Sequence, residues 1–175
     1  SNQQIFLMRK KIYNNKKTIN EIENFKNTKN IVIPVYKKTD GQVSTCLLAR
    51  KFLEPNKSLM ISSCDYELEY KEKKLRELIL NHNPDVVIFT FKLGSQPIGS
   101  YENFAYCKTS KNKVKQIVEK KIISNSPQND HMVTGTFWFR DSSIFLLAAD
   151  NLISNKIKIN NEYYVGTSIN YLIKD

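Results

Sequence analysis

The sequence predicts an α/β chain on a largely parallel sheet. Short apolar runs alternate with helical patterns through the first half, as strands joined by crossover helices do. In the second half the alternation gives way to a hairpin and an aromatic strand, Phe137-Trp138-Phe139. No internal repeat or low-complexity segment interrupts the 175 residues, a length that fits one domain with a single buried core.

In chain order, Ile5-Phe6-Leu7-Met8 reads as a buried strand. Thr18, with Glu21 three residues on, has capping-box spacing for a helix that puts Ile19, Ile22 and Phe25 on one face. Ile31-Val32-Ile33 is the next strand, expected to stop at Pro34, which has no amide for the ladder. Thr39 to Gln42 is a turn, and Ser44 or Thr45 opens a helix carrying Leu47, Leu48 and Leu53. Leu59-Met60-Ile61 is a third strand. A helix over 71–81 turns Leu75, Leu78 and Ile79 inward, and Val86 to Phe91 is a β-branched and aromatic strand. Gly94, Pro97 and Gly99 mark a loop. Phe104 to Lys108 and Val114 to Glu119 form a hairpin around Ser110-Lys111-Asn112, and Val133 to Arg140 is the last strand. Asp141 or Ser142 caps a helix through Leu152, and a final helix starts near Thr167.

Composition narrows the function. Cys46, Cys64 and Cys107 are scattered without disulfide or zinc spacing, and the two histidines, His82 and His131, exclude a multi-histidine metal site. The net charge of +10 invites a nucleic-acid reading, but the lysines are spread along the whole chain and the longest basic run, Arg9-Lys10-Lys11, is short. A phosphate-rich small ligand suits such a chain better, and no nucleic-acid partner is expected. No apolar run is long enough to span a bilayer and the N-terminus lacks a secretory core, so a cytoplasmic protein without a membrane partner is expected.

Three places can carry chemistry. Asp65 follows the strand ending at Ile61, at the carboxyl edge where open α/β sheets bind ligands. It can hold magnesium, or it can simply close the following turn. Gly41, within 39–45, permits a close backbone approach to a ligand, and the same stretch also reads as an ordinary capped loop. Glu119-Lys120-Lys121 can accept from sugar hydroxyls and meet a phosphate, or can be a solvated charge run.

Taken in order, these segments resemble the nucleoside-diphosphate-sugar pyrophosphorylases, the sugar nucleotidyltransferases. Asp40-Gly41-Gln42-Val43-Ser44-Thr45 looks like their base-contacting stretch, and Leu59 to Asp65 like the strand that ends in a metal-binding aspartate. Phe104-Ala105-Tyr106 with Ile117-Val118-Glu119-Lys120 resembles the hairpin whose Glu-Lys pair grips the acceptor. Val133 to Phe139 resembles the strand after the acceptor loop, and Glu162-Tyr163-Tyr164-Val165 with Ile169-Asn170 the segment before the final helix.

The resemblance implies a three-layer Rossmann-like (GT-A-type) fold, a mostly parallel sheet with helices on both faces and an inserted β-hairpin. It implies transfer of a nucleoside monophosphate from a triphosphate to a sugar phosphate or phosphorylated alcohol, with Mg2+. On it, Asp65 serves the metal and the chemistry, Gly41, Gln42 and Ser44 the nucleotide, and Glu119, Lys120 and Gly135 the acceptor. The family's Gly-rich triphosphate loop has no counterpart, since all five glycines are accounted for at 41, 94, 99, 135 and 166. Nor is there an obvious second metal carboxylate, and Val133-Thr134 stands where an asparagine usually precedes the glycine. One domain, trimmed at both ends and inactive by itself, is the expectation. Loss of the first strand would bare a sheet edge for pairing with another copy.

Overall fold

Strand β1 (Gln3–Arg9) runs through helices α1 (Lys10–Tyr13) and α2 (Lys16–Glu23) into β2 (Lys29–Val35), which pairs parallel to it. The computed structural model describes residues 3–25, 28–64, 67–95 and 99–173. Asn15, rather than Thr18, caps α2: its side chain accepts from the Thr18 amide at 3.3 Å. β2 continues through Pro34, opposite Met8, to Val35. A proline is tolerated because β1 is the one paired neighbour of β2 among the described residues.

Helix α3 (Gln42–Cys46) passes into a 3-10 segment, Leu47–Phe52, and the chain then enters β3 (Leu59–Ile61). Helix α4 (Glu72–His82) ends at Asn83 in the left-handed conformation and leads to β4 (Val86–Phe91). Leu75 and Ile79 of α4 are half-buried as expected, whereas Leu78 faces solvent. The hairpin is β5 (Ala105–Ser110) and β6 (Lys113–Glu119), joined at Lys111-Asn112 with φ of 48° and 62°. Two left-handed central residues give the turn whose twist matches the strands.

Strand β7 (His131–Phe139) organises the five-stranded sheet, whose described pairs are all antiparallel. Its first residues pair with β5, its last with β3, and β4 lies along its other side. The mostly parallel sheet expected from the alternation of elements is therefore corrected. Among the described residues parallel pairing is confined to β1–β2, because β7 enters between β3 and β4, which run in the same direction, and separates them. Local alternation reports crossovers; it does not report a later strand inserted between their products.

The core lies between this sheet and helices α5 (Ser142–Ser154) and α6 (Val165–Ile169). Asp141 caps α5, accepting from the Ser143 amide at 2.7 Å. Phe145, Ala148, Ala149 and Leu152 recur at helical spacing and are fully buried. Of these, Phe145, Ala149 and Leu152 join one cluster with Phe137 and Phe139 from β7, Val43 from α3, and Val165 and Ile169 from α6. Neither β1 nor β2 contributes a fully buried residue.

Candidate active site

The loop before α3 is held by the chain that precedes α6. Tyr163 donates its amide to the Asp40 carbonyl at 2.7 Å, and Val43 donates to the Tyr163 carbonyl at 3.0 Å. Gly41 sits between these bonds at φ +98°, and a Cβ there would lie 2.7 Å from Tyr163 N and 2.9 Å from Glu162 Cβ. Only glycine satisfies both the backbone angle and the approach. The close approach expected at Gly41 is thus to the molecule's own 162–163 segment. The helix opens at Gln42, earlier than Ser44 or Thr45, and Thr45 Oγ1 turns back to the Gly41 carbonyl at 2.9 Å. Gln42 is exposed and Ser44 half-buried.

Beside this loop is a polar cavity of about 330 Å³ lined by Lys38, Thr39, Asp40, Asn160, Asn161 and Glu162. Asn160 and Asn161, both left-handed at φ 49° and 64°, make a tight turn closed by the Ile159–Glu162 bridge. Lys158 pairs with Asp40 at 2.7 Å, and that carboxylate holds its ammonium above the ordinary lysine range.

Glu119 ends β6 and Lys120 follows it, on the other side of the 162–166 segment. Glu119 is half-buried against α6: a Cβ on Gly166 would lie 2.4 Å from its Oε1. Burial pushes the carboxyl up to about 7, with Lys120 pulling the other way. Lys120 adopts the left-handed conformation, φ +54°, which a non-glycine residue keeps only when its surroundings impose it. Those surroundings are the Phe104 carbonyl, accepting from its amide at 2.9 Å, and the Asn103 carbonyl, accepting from Nζ. The ammonium also lies 5.7 Å from the centre of the Tyr164 ring. Tyr164 bonds Glu162 through its hydroxyl, and burial, before that bond, raises it to about 12.

Gly135 stands at the same end of the sheet. Glu119 is opposite Ala105 on β5, Tyr106 is opposite Met132 on β7, and Gly135 follows three residues later. At φ +80° it lies in a register shift against β4, where Thr134 Oγ1 donates to the Phe89 carbonyl at 3.1 Å. Its own carbonyl accepts from the Ser63 amide at 3.2 Å, and Ser62 and Thr136 hydroxyls meet at 3.1 Å. Gly135 therefore receives the chain that leaves β3 for Asp65. Asp65, assigned to the metal and the chemistry, lies outside the described residues.

The sequence singled out both sides of this arrangement but not its wall. Tyr164 and Gly166 were given no role, and Asn170 none beyond the general likeness of its segment. Asn170 clamps β6, accepting from the Ile117 amide at 2.8 Å and donating to the Ile117 carbonyl at 2.9 Å. The sequence starts the final helix near Thr167, whereas α6 starts at Val165 and includes Gly166.

The fold is found in known structures. At TM-score 0.71 and 19% identity, the chain is similar to the nucleoside-diphosphate-sugar pyrophosphorylase from Vibrio cholerae RC9, over 98% of this chain and 68% of that one. The chain has that fold. It is also similar to the inositol-1-phosphate CTP transferase from T. maritima, at TM-score 0.67 and 12% identity, over 97% of this chain and 61% of that one. The chain thus spans about two thirds of the length of these nucleotidyltransferases. No protein-family model and no curated protein matches it by sequence. Among the described residues no cluster of three or more candidate ligands could hold a metal, and no helix is long and apolar enough to cross a membrane. Magnesium takes as few as one or two carboxylates, completing its shell with phosphate oxygens and water, so a single protein carboxylate beside a bound nucleotide fits its chemistry.

Proposed function

We propose that the protein transfers a nucleoside monophosphate from a triphosphate to a sugar phosphate or similar phosphorylated acceptor, in surface-polysaccharide biosynthesis. The observation that carries this reading is the placement of Glu119 and Lys120. A carboxylate and an ammonium that interact electrostatically, without forming a close ion pair, lie at the end of the hairpin, against a segment that also fixes the Gly41 loop. In this reading the segment is one wall shared by two ligand positions, as a two-substrate transfer needs.

In this reading an acceptor phosphate oxygen attacks the α-phosphorus of the triphosphate, the bond to the bridging oxygen breaks, and pyrophosphate leaves. Catalysis of that kind rests on positioning and charge neutralisation. Glu119 accepts from acceptor hydroxyls, Lys120 meets the acceptor phosphate, and Gly135 lets the acceptor approach the strand. Gly41, Gln42 and Ser44 face the nucleotide. Asp65 holds Mg2+, which when bound neutralises phosphate charge. Self-association through the free edge of the β1–β2 sheet also belongs to this proposal, and a monomer in sedimentation at high concentration counts against it.

The test is pyrophosphate release by the full-length protein from a nucleoside triphosphate panel with Mg2+ and either glucose 1-phosphate or phosphocholine. Asp65→Ala is expected to lower turnover about a hundredfold or more. Turnover unchanged in that variant removes the metal role. Hydrolysis or transfer from a finished nucleotide sugar, with none from a triphosphate, would instead assign a glycosyltransferase.

A further inference from the structure

We propose that Gly166 is a positioning residue for the acceptor site: its missing side chain forms the slot that seats the Glu119 carboxylate beside Lys120. The inference rests on the reading of Glu119 and Lys120 as the acceptor grip, and it goes beyond that reading by naming what sets the carboxylate's position.

Gly166 lies in the first turn of α6, buried, and its φ is not in the left-handed region. Backbone freedom therefore does not call for glycine, and a helical glycine is less favourable than alanine by about 1 kcal/mol. Space does call for it. A methyl group at 166 would stand 2.4 Å from Glu119 Oε1, 3.0 Å from Ile117 Cγ2 and 3.5 Å from Glu119 Cδ. The first distance is impossible, the second tight, and the third ordinary contact. The conflict is thus chiefly with the carboxylate oxygen, the atom that would accept from a ligand.

The surroundings fix where that carboxylate can go. Ile117, two residues back on the same face of β6, is held by the Asn170 clamp, so the strand does not retreat. Lys120 is locked by the Phe104 and Asn103 carbonyls and by the Tyr164 ring. The groups that face Glu119 electrically are Lys120 on its own strand end, Cys107 from β5 and Tyr164 ahead of α6, whose hydroxyl is tied to Glu162. Glu119 is half-buried rather than fully buried, so part of its side chain remains accessible. A methyl at 166 would displace it from the slot toward solvent. Desolvation, the cause of its raised ionisation range, would be relieved with the move.

The experiment compares Gly166→Ala with the unaltered chain, using glucose 1-phosphate as the probe and the Glu119 side-chain carboxyl carbon followed by NMR across pH. In the unaltered chain the carboxyl is expected to titrate near 7. In the alanine variant it is expected to fall toward the ordinary carboxylate range, with glucose 1-phosphate bound about tenfold more weakly and nucleotide affinity retained. Adding Glu119→Asp places the shorter carboxylate's oxygens near the present Cδ, clear of the added methyl, so Gly166→Ala/Glu119→Asp recovers part of the loss. An unchanged Glu119 titration in Gly166→Ala overturns the positioning role. If the single variant does not fold, the double variant is expected to fold, and its failure overturns the proposal as well. Failure of the unaltered chain to bind glucose 1-phosphate would strike that acceptor alone, because the NMR titration reads the slot without it.

Discussion

Glu119 is where a single side chain carries the most information. Its folded range, about 7, lies above its ordinary value of 4.5 because burial opposes the charged form. A carboxyl raised in this way favours the folded state fully below about pH 4.5, and that contribution is lost as pH rises through about 7. At pH 9 the loss amounts to roughly 3 kcal/mol. Glu119→Gln, which stays neutral, is therefore expected to match the unaltered chain in urea unfolding at pH 4.5 and to exceed it at pH 9. Equal stability at both pH values would mean that the carboxyl is not desolvated. The Glu-Lys pair was legible in the sequence as a charge run with two possible meanings. The structure shows Glu119 half-buried against Gly166, 47 positions away in the chain, which no local pattern connects to it.

Among the elements, β6 shows how a strand end is made firm enough to hold such a pair. Its outer edge is met at Ile117 by the Asn170 amide, which supplies one acceptor and one donor as a neighbouring strand would. Asn170→Ala leaves both Ile117 backbone groups without these partners, at a cost of about 1–3 kcal/mol. Hydrogen exchange at the Ile117 amide should accelerate in that variant while the Phe139 amide is unaffected. Equal protection of Ile117 in both proteins would show that the clamp is incidental. Asn170 was visible in the sequence only as part of a segment, since a helix surface asparagine gives no sign of the strand it touches. The periodic elements were more legible. α5 and β4 begin close to where their patterns indicate, because helix and strand periodicities are written locally. End residues were less so: Asn15 displaced Thr18 as the cap, and β2 ran through Pro34.

At the scale of the molecule, burial is uneven. The five-stranded sheet, α5–α6 and Val43 of α3 hold most of the fully buried side chains, while β1 and β2 are half-buried apart from the exposed Arg9 and Lys29. Local stability follows buried apolar contact. Amides of Ile5 to Leu7 and Ile31 to Ile33 are accordingly expected to exchange faster than those of Met132 and Phe137 in native-state hydrogen exchange. Uniform protection across both sheets would refute this division, and slow exchange in β1–β2 at high protein concentration would point to a partner strand.

The sequence by itself determined where strands and helices lie and which loops carry small polar or charged residues. It also carried the order of motifs that resembles a sugar nucleotidyltransferase. Only the tertiary structure decided that β7 separates β3 from β4, that Gly41 is shaped by Tyr163, and that Gly166 makes room for Glu119. The reason is range. Periodicity and capping are set by residues within a turn or two of one another, whereas a strand's neighbour and a carboxylate's surroundings are set by contacts that chain distance does not encode.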